Sequence, residues 1–199
     1  MKCFRFLALL VGLSAPVFLS SCDSKIEPDF LSTDITGASF GRDFKLFDHN
    51  GDLRSLADFR GKVIVLFFGY TNCPDICPSI MAKLAGAVKN IGKDSNHVQV
   101  LFVSVDPEHD TPALLKQYVS TFNPNFLGLS GDIETTRNIA KEFKIAFQRQ
   151  VEETQDSYVM EHSAGTYILD QEGKLRLYVN TNTDMEIISH DILELLRIL

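Results

Sequence analysis

The sequence predicts an α/β domain: a central mixed β-sheet flanked by helices, preceded by an N-terminal extension. Three observations predict it. Two apolar runs, "KVIVLFFGY" (62–70) and "HVQVLFVSVD" (97–106), read as strands buried on both faces. Segments with apolar residues at helical spacing follow each run. The chain then closes on a hairpin and a last helix, and strands alternating with helices build layered α/β folds.

The first 21 residues stand apart. "MKCFRF" is a short basic start and "LALLVGLSAPVFL" is apolar, too short for a membrane span and interrupted by Pro16. This is the pattern of a signal peptide. Its end, Leu19-Ser20-Ser21-Cys22, resembles a bacterial lipobox, in which the cysteine is lipidated and becomes the new N-terminus. Asp23 then favours retention in the inner membrane of an enteric-type bacterium, on its periplasmic side. Residues 22–37 are polar, contain Pro28 and are expected to be a tether. The folded domain is expected over 38–199.

Within it, "DFKLFDHNGD" (43–52) reads as a strand running into an Asn50-Gly51 turn. After the first buried run, Pro78 suits a first helical position, and Ile80, Leu84, Val88 and Ile91 follow at helical spacing. Thr111-Pro112 opens the next helix with a cap and a first-turn proline; Leu115, Val119 and Phe122 mark its apolar side. "FLGLSGD" (126–132) is a short strand or turn, and 133–145 is helical. "GTYILDQEGKLRLYV" (165–179) is a hairpin around Gly173. Thr183 and Glu186 suggest a capping box for a helix over 184–198. This order of elements points to a sandwich of the thioredoxin type.

The net charge is −7, and loss of Lys2 and Arg5 with the leader would make it −9. That acidity argues against nucleic acid as a partner, since phosphate binding needs a basic face. It suits encounter with a cation or a basic protein surface.

The chain has four cysteines. Cys3 would leave with the leader and Cys22 would carry lipid. One pair remains, Cys73 and Cys77 in "GYTNCPDICP", in an oxidising compartment. The pair follows a buried strand and leads into a helix, whose N-terminal N–H groups favour a thiolate. A thiolate is both the nucleophile of disulfide exchange and a soft-metal ligand. A plain Cys73–Cys77 disulfide would close a very small loop, where the entropic gain is least. Thioredoxin relatives keep a cis-proline just before the strand of the last hairpin, packed against the dithiol. Here that strand is Thr166–Leu169, and "MEHSAG" before it offers His162 instead. Two thiolates and an imidazole form a soft three-coordinate set. Copper(I) accepts it, copper(II) would recruit further nitrogen or oxygen donors, and zinc would want a fourth. His49, His97, His109 and His190 read as surface or helix residues.

Three stretches, "FFGYTNCPDICP" (67–78), "VSVDPEHDTP" (103–112) and "YVMEHSAGTYILD" (158–170), resemble the Sco proteins, also called the SenC type. The similarity spans roughly 36–199. It implies a membrane-tethered, thioredoxin-like domain that holds copper(I) or copper(II) through Cys73, Cys77 and His162. Its implied partner is cytochrome c oxidase subunit II or a related copper protein, whose binuclear copper centre such proteins help to assemble. Asp106 matches an acidic position near the site and is read as orienting the ligands; its alternative role is a turn before Pro107.

Two other functions compete with a copper chaperone. One is a membrane-tethered thiol–disulfide oxidoreductase in which Cys73 and Cys77 cycle with a client. The other is a peroxidase, which needs an activating arginine; Arg60 is the only one close in sequence.

Overall fold

The computed structural model describes residues 27–151 and 158–198. In chain order its strands are β1 (Thr33–Asp34), β2 (Leu46–Asp48), β3 (Leu53–Arg54), β4 (Val63–Gly69), β5 (Val98–Ser104), β6 (Leu127–Ser130), β7 (Phe147–Val151), β8 (Tyr158–His162), β9 (Thr166–Leu169) and β10 (Leu175–Val179). The helices are α1 (Ile76–Ile91), α2 (Pro112–Phe122), α3 (Ile133–Glu142) and α4 (Met185–Arg197).

Eight strands form one sheet in the order β1-β10-β9-β4-β5-β6-β2-β3. β4, β5 and β6 are parallel and the other pairs antiparallel, so the sheet is mixed. Every residue of β4 and β5 is buried, as their unbroken apolar runs predict. α4 packs against α1 and β4, and α2 against β6 and α1. The carboxyl ends of β4 and β5 lie side by side, with Gly69 opposite Ser104. Loops leaving that edge of a parallel pair are where α/β sheets place their sites.

Several boundaries differ from the sequence reading. α1 begins at Ile76, so Pro78 is its third residue; the first-turn N–H groups lack helical partners, and a proline there breaks nothing. The cap of α4 is Asp184, one residue past Thr183, and the Thr183–Glu186 capping box does not form. α3 stops at Glu142, three residues early, in a Schellman turn: Ile145 N–H donates to the Ala140 carbonyl at 2.7 Å and Lys144 N–H to that of Lys141 at 3.1 Å. Lys144 takes the left-handed position at φ 55, and its ammonium lies 4.4 Å from the Phe40 ring centroid.

The described end of the segment expected as a tether, 22–37, packs on the domain. β1 pairs with β10, placing Thr33 opposite Tyr178 and Asp34 opposite Leu177. Just before it, the Leu31 and Ser32 N–H groups donate to the two oxygens of Asp191 on α4, at 2.8 and 2.9 Å. A buried carboxylate needs such donors, and this backbone supplies them. The ordered domain therefore starts ahead of residue 38.

Replacing Asp191 by alanine leaves those two amides without acceptors. It should cost about 1.5–3 kcal/mol of unfolding free energy, the range for hydrogen bonds to a charged group. Urea denaturation measures the loss, and limited proteolysis should cut first within 29–36.

Candidate metal and redox site

β4 ends at Gly69, and the chain turns through Tyr70–Asp75 into α1. Cys73 lies in that turn and is half-buried; Cys77 is the second residue of α1 and fully buried. Both are free thiols. The Cys77 N–H points at Cys73 Sγ, 3.4 Å away, so the two sulfurs share the helix start. Cys77 reaches its place because residue 69 has no side chain. A Cβ there would come within 3.0 Å of Cys77 Sγ and 2.9 Å of the Phe102 ring.

His162 is the last residue of β8, a strand absent from the elements expected from the sequence. β7 and β8 form a separate two-stranded sheet in which Phe147 faces His162. His162 Nε2 lies 3.5 Å from Cys77 Sγ. Its Nδ1 lies 3.0 Å from the Ser163 carbonyl, which can only accept, so Nδ1 carries the proton and Nε2 offers its lone pair to the sulfur. The edges of Tyr70 and Phe67 enclose the ring, with centroids 5.9 and 6.4 Å away. Burial pulls the imidazole below its ordinary pKa and keeps it neutral, and the Ser163 carbonyl opposes this only in part.

Burial opposes the thiolate that the helix N-terminus favours at Cys77. Burial pushes this thiol far up, and a backbone hydrogen bond at Tyr70 does not offset it. A dry, neutral pocket outweighs the helix N-terminus.

Asp106 is buried but touches none of the three. Its carboxylate accepts from the Tyr158 hydroxyl, and its carbonyl accepts from the His109 and Asp110 N–H groups. It is thus both a turn residue and a partner of the strand that carries His162. Burial and the neighbouring carboxylate push Tyr158 up to about 12, so its hydroxyl stays a donor at neutral pH.

The sequence reading missed Asp110. Its buried carboxylate accepts from Thr71 Oγ1 and Ser104 Oγ at 2.6 Å each and from Thr71 N–H at 3.2 Å. It ties the cysteine turn to the loop after β5. The only cue was its place before Thr111-Pro112, where an acidic residue reads as part of a helix cap. Potential ligand atoms of Asp106, His109 and Asp110 lie within 4.8 Å of one another, but both carboxylates are already committed to these hydroxyls.

Two of the remaining histidines have other partners. His49 Nδ1 accepts from Gly128 N–H at 3.1 Å, and His190 Nδ1 faces Asp191 at 3.2 Å. Arg60 precedes β4 whereas the cysteines follow it, and a seven-residue strand separates them by roughly 20 Å or more. No arginine from this part of the chain reaches the thiols, which removes the basis of the peroxidase reading. Cys3 and Cys22 lie outside the described residues.

Comparison with known proteins accords with this arrangement. The SCO1/SenC family model matches residues 32–197. A SCO2-like protein of Rickettsia felis is 32% identical over 176 residues, covering 87% of this chain and 86% of its own. The structure of Bradyrhizobium japonicum ScoI with copper bound is 34% identical with a TM-score of 0.72, covering 78% of this chain and 98% of its own. BsSco, described as a member of the Sco family of cytochrome c oxidase assembly proteins and as carrying a disulfide switch, shares the fold at 24% identity. Its TM-score is 0.66, with 85% of this chain and 99% of its own covered. With a match over most of its length and a thioredoxin-like mixed sheet, this chain belongs to the SCO1/SenC family.

Proposed function

We propose that the chain is a copper chaperone. It holds one copper through Cys73, Cys77 and His162 and helps to assemble the binuclear copper centre of cytochrome c oxidase subunit II or a related copper protein. The observation that carries the reading is the convergence of a helix-start thiol pair and an imidazole lone pair 3.5 Å from Cys77 Sγ. Two sulfurs and one nitrogen suit copper(I), and the same set keeps a nitrogen for copper(II). Each feature of the site has a part in transfer. The buried Cys77 and neutral His162 hold the cargo; the half-exposed Cys73 is the ligand that a client thiolate reaches first. The relative described with copper bound supports copper as the cargo.

A thiol–disulfide role is the second reading, favoured by the closeness of Cys73 Sγ to the Cys77 amide and by the exposure of Cys73. In that reaction the two thiols give up two electrons and two protons as a Cys73–Cys77 disulfide forms, and a client disulfide becomes two thiols. The two readings are linked, because sulfurs joined to each other are no longer thiolate ligands.

We place the domain on the periplasmic face of a bacterial inner membrane, held by lipid on Cys22. Among the described residues no helix is long and apolar enough to cross a membrane.

The reduced chain should bind one copper(I), and X-ray absorption should show two sulfurs and one nitrogen. The disulfide form should bind far more weakly, and equal binding by both forms would move the metal elsewhere. Affinity should also rise with pH. Burial holds the Cys77 proton at neutral pH, so copper must displace it, and that proton alone gives about tenfold per pH unit. Competition against a copper(I) chelator between pH 6 and 8 (roughly the range where the thiol stays protonated) reads the slope. For the anchor, the intact mass of membrane-extracted protein should show residues 1–21 lost and lipid added; a free Cys22 thiol would refute it.

A further inference from the structure

The β7–β8 hairpin presents a mechanical problem. Among the described residues it pairs with no strand of the main sheet, and an isolated two-stranded hairpin is at best marginally stable in water. Yet it carries His162. Its position must come from anchors along its length.

At the His162 end, Ser163 N–H donates to the Ala146 carbonyl at 2.9 Å, and Ala146 N–H donates to Ser163 Oγ at 3.2 Å. Tyr158, Met160 and His162 share one face of β8, because alternate residues of a strand point the same way. Met160 is buried in the core. At the far end, four residues and about 13 Å from His162, the Tyr158 hydroxyl donates to Asp106. The Arg149 guanidinium lies 3.8 Å from the Tyr158 ring centroid, and its Nη1 is 3.1 Å from Glu108. That ion pair is 49% and 67% exposed, so solvent screens it and it holds little.

The tyrosine contact differs in kind. Asp106 is 3% exposed, and among the described residues the Tyr158 hydroxyl is the one donor to its carboxylate. A buried carboxylate with a single donor cannot give it up cheaply. The contact is also directional. It joins the hairpin to the loop after β5, which Asp110 in turn ties to the cysteine turn through Thr71.

We propose that Tyr158 is a positioning residue for His162: by donating to Asp106 it latches the hairpin to the loop beside the cysteines and holds the imidazole against Cys77. This rests on the copper reading above. Tyr158 touches no ligand and acts only through the strand. Asp106 is the receiving half of the same latch, so its influence reaches the metal site from behind the histidine.

The test is a double-mutant cycle on the reduced full chain, with copper(I) in competition with a chelator as the probe. His162→Ala should weaken binding by roughly tenfold or more, and Tyr158→Phe several-fold, the scale on which partners behind a ligand act. In the His162→Ala background, Tyr158→Phe should have no further effect, because the residue it positions is gone. X-ray absorption on Tyr158→Phe should show a weakened or lengthened nitrogen shell with both sulfurs kept. Asp106→Asn, which can still accept from the hydroxyl, should retain most of the affinity. Equal losses from Tyr158→Phe in both backgrounds would mean that it acts through general stability, and the proposal fails. No loss from Tyr158→Phe while His162→Ala weakens binding also overturns it and leaves the copper reading intact. If His162→Ala changes neither affinity nor the nitrogen shell, the three-ligand reading itself falls, and the latch with it.

Discussion

The site depends on one close approach, that of the Cys77 sulfur to the backbone at the end of β4. Gly69 is the last residue of a fully buried strand, and its carbonyl accepts Val105 N–H at 2.9 Å, which fixes the neighbouring loop. Because residue 69 has no side chain, α1 settles with its second residue against the sheet. That single contact buries the thiol and sets its protonation. It also places the sulfur within reach of a ring arriving from a different part of the chain. A methyl group at 69 would lift the helix start, and three functional groups would part company.

Around that contact buried carboxylates act together with the apolar packing. Asp110 joins the two loops at the carboxyl ends of β4 and β5 through hydroxyls and an amide. Asp106 joins the second loop to the hairpin through a phenol. Asp191 performs a similar task at the other end of the chain for the segment that leads into β1. Each is buried and each accepts from hydroxyl or backbone N–H groups. The negative charge of the chain is therefore partly structural and not only a property of its surface.

The central layer was legible because its signal is strong. β4 and β5 are seven buried residues each, and no other element explains such runs. The helix at Thr111-Pro112 was legible too, since Thr111 Oγ1 does accept from Leu114 N–H, as a cap should. What escaped was coded by interactions between distant segments. Lys144 stops α3 in a conformation usually given to glycine, so nothing local announced the end. The hairpin holding His162 mixes polar with apolar residues on short strands, and its pairing is visible only once Asp106 and the core receive it. Residue types and spacing singled out the cysteines and fold logic the histidine, and the structure brings the three side chains together. The behaviour of the Cys77 proton could not be read, because it depends on how much water the folded chain excludes.

The docking of Leu31 and Ser32 onto α4 sets a length scale. For a chain anchored at Cys22, nine residues separate the lipid from the first firmly held amide. Fully stretched, they reach about 30 Å. The leash is therefore comparable to the bilayer's own thickness. A domain so anchored would sweep a shallow layer above the lipid surface instead of exploring the whole compartment. Encounter with a membrane-bound client then becomes a search in nearly two dimensions, at a raised effective concentration. Loosening the Asp191 clamp would lengthen such a leash without altering Cys73, Cys77 or His162.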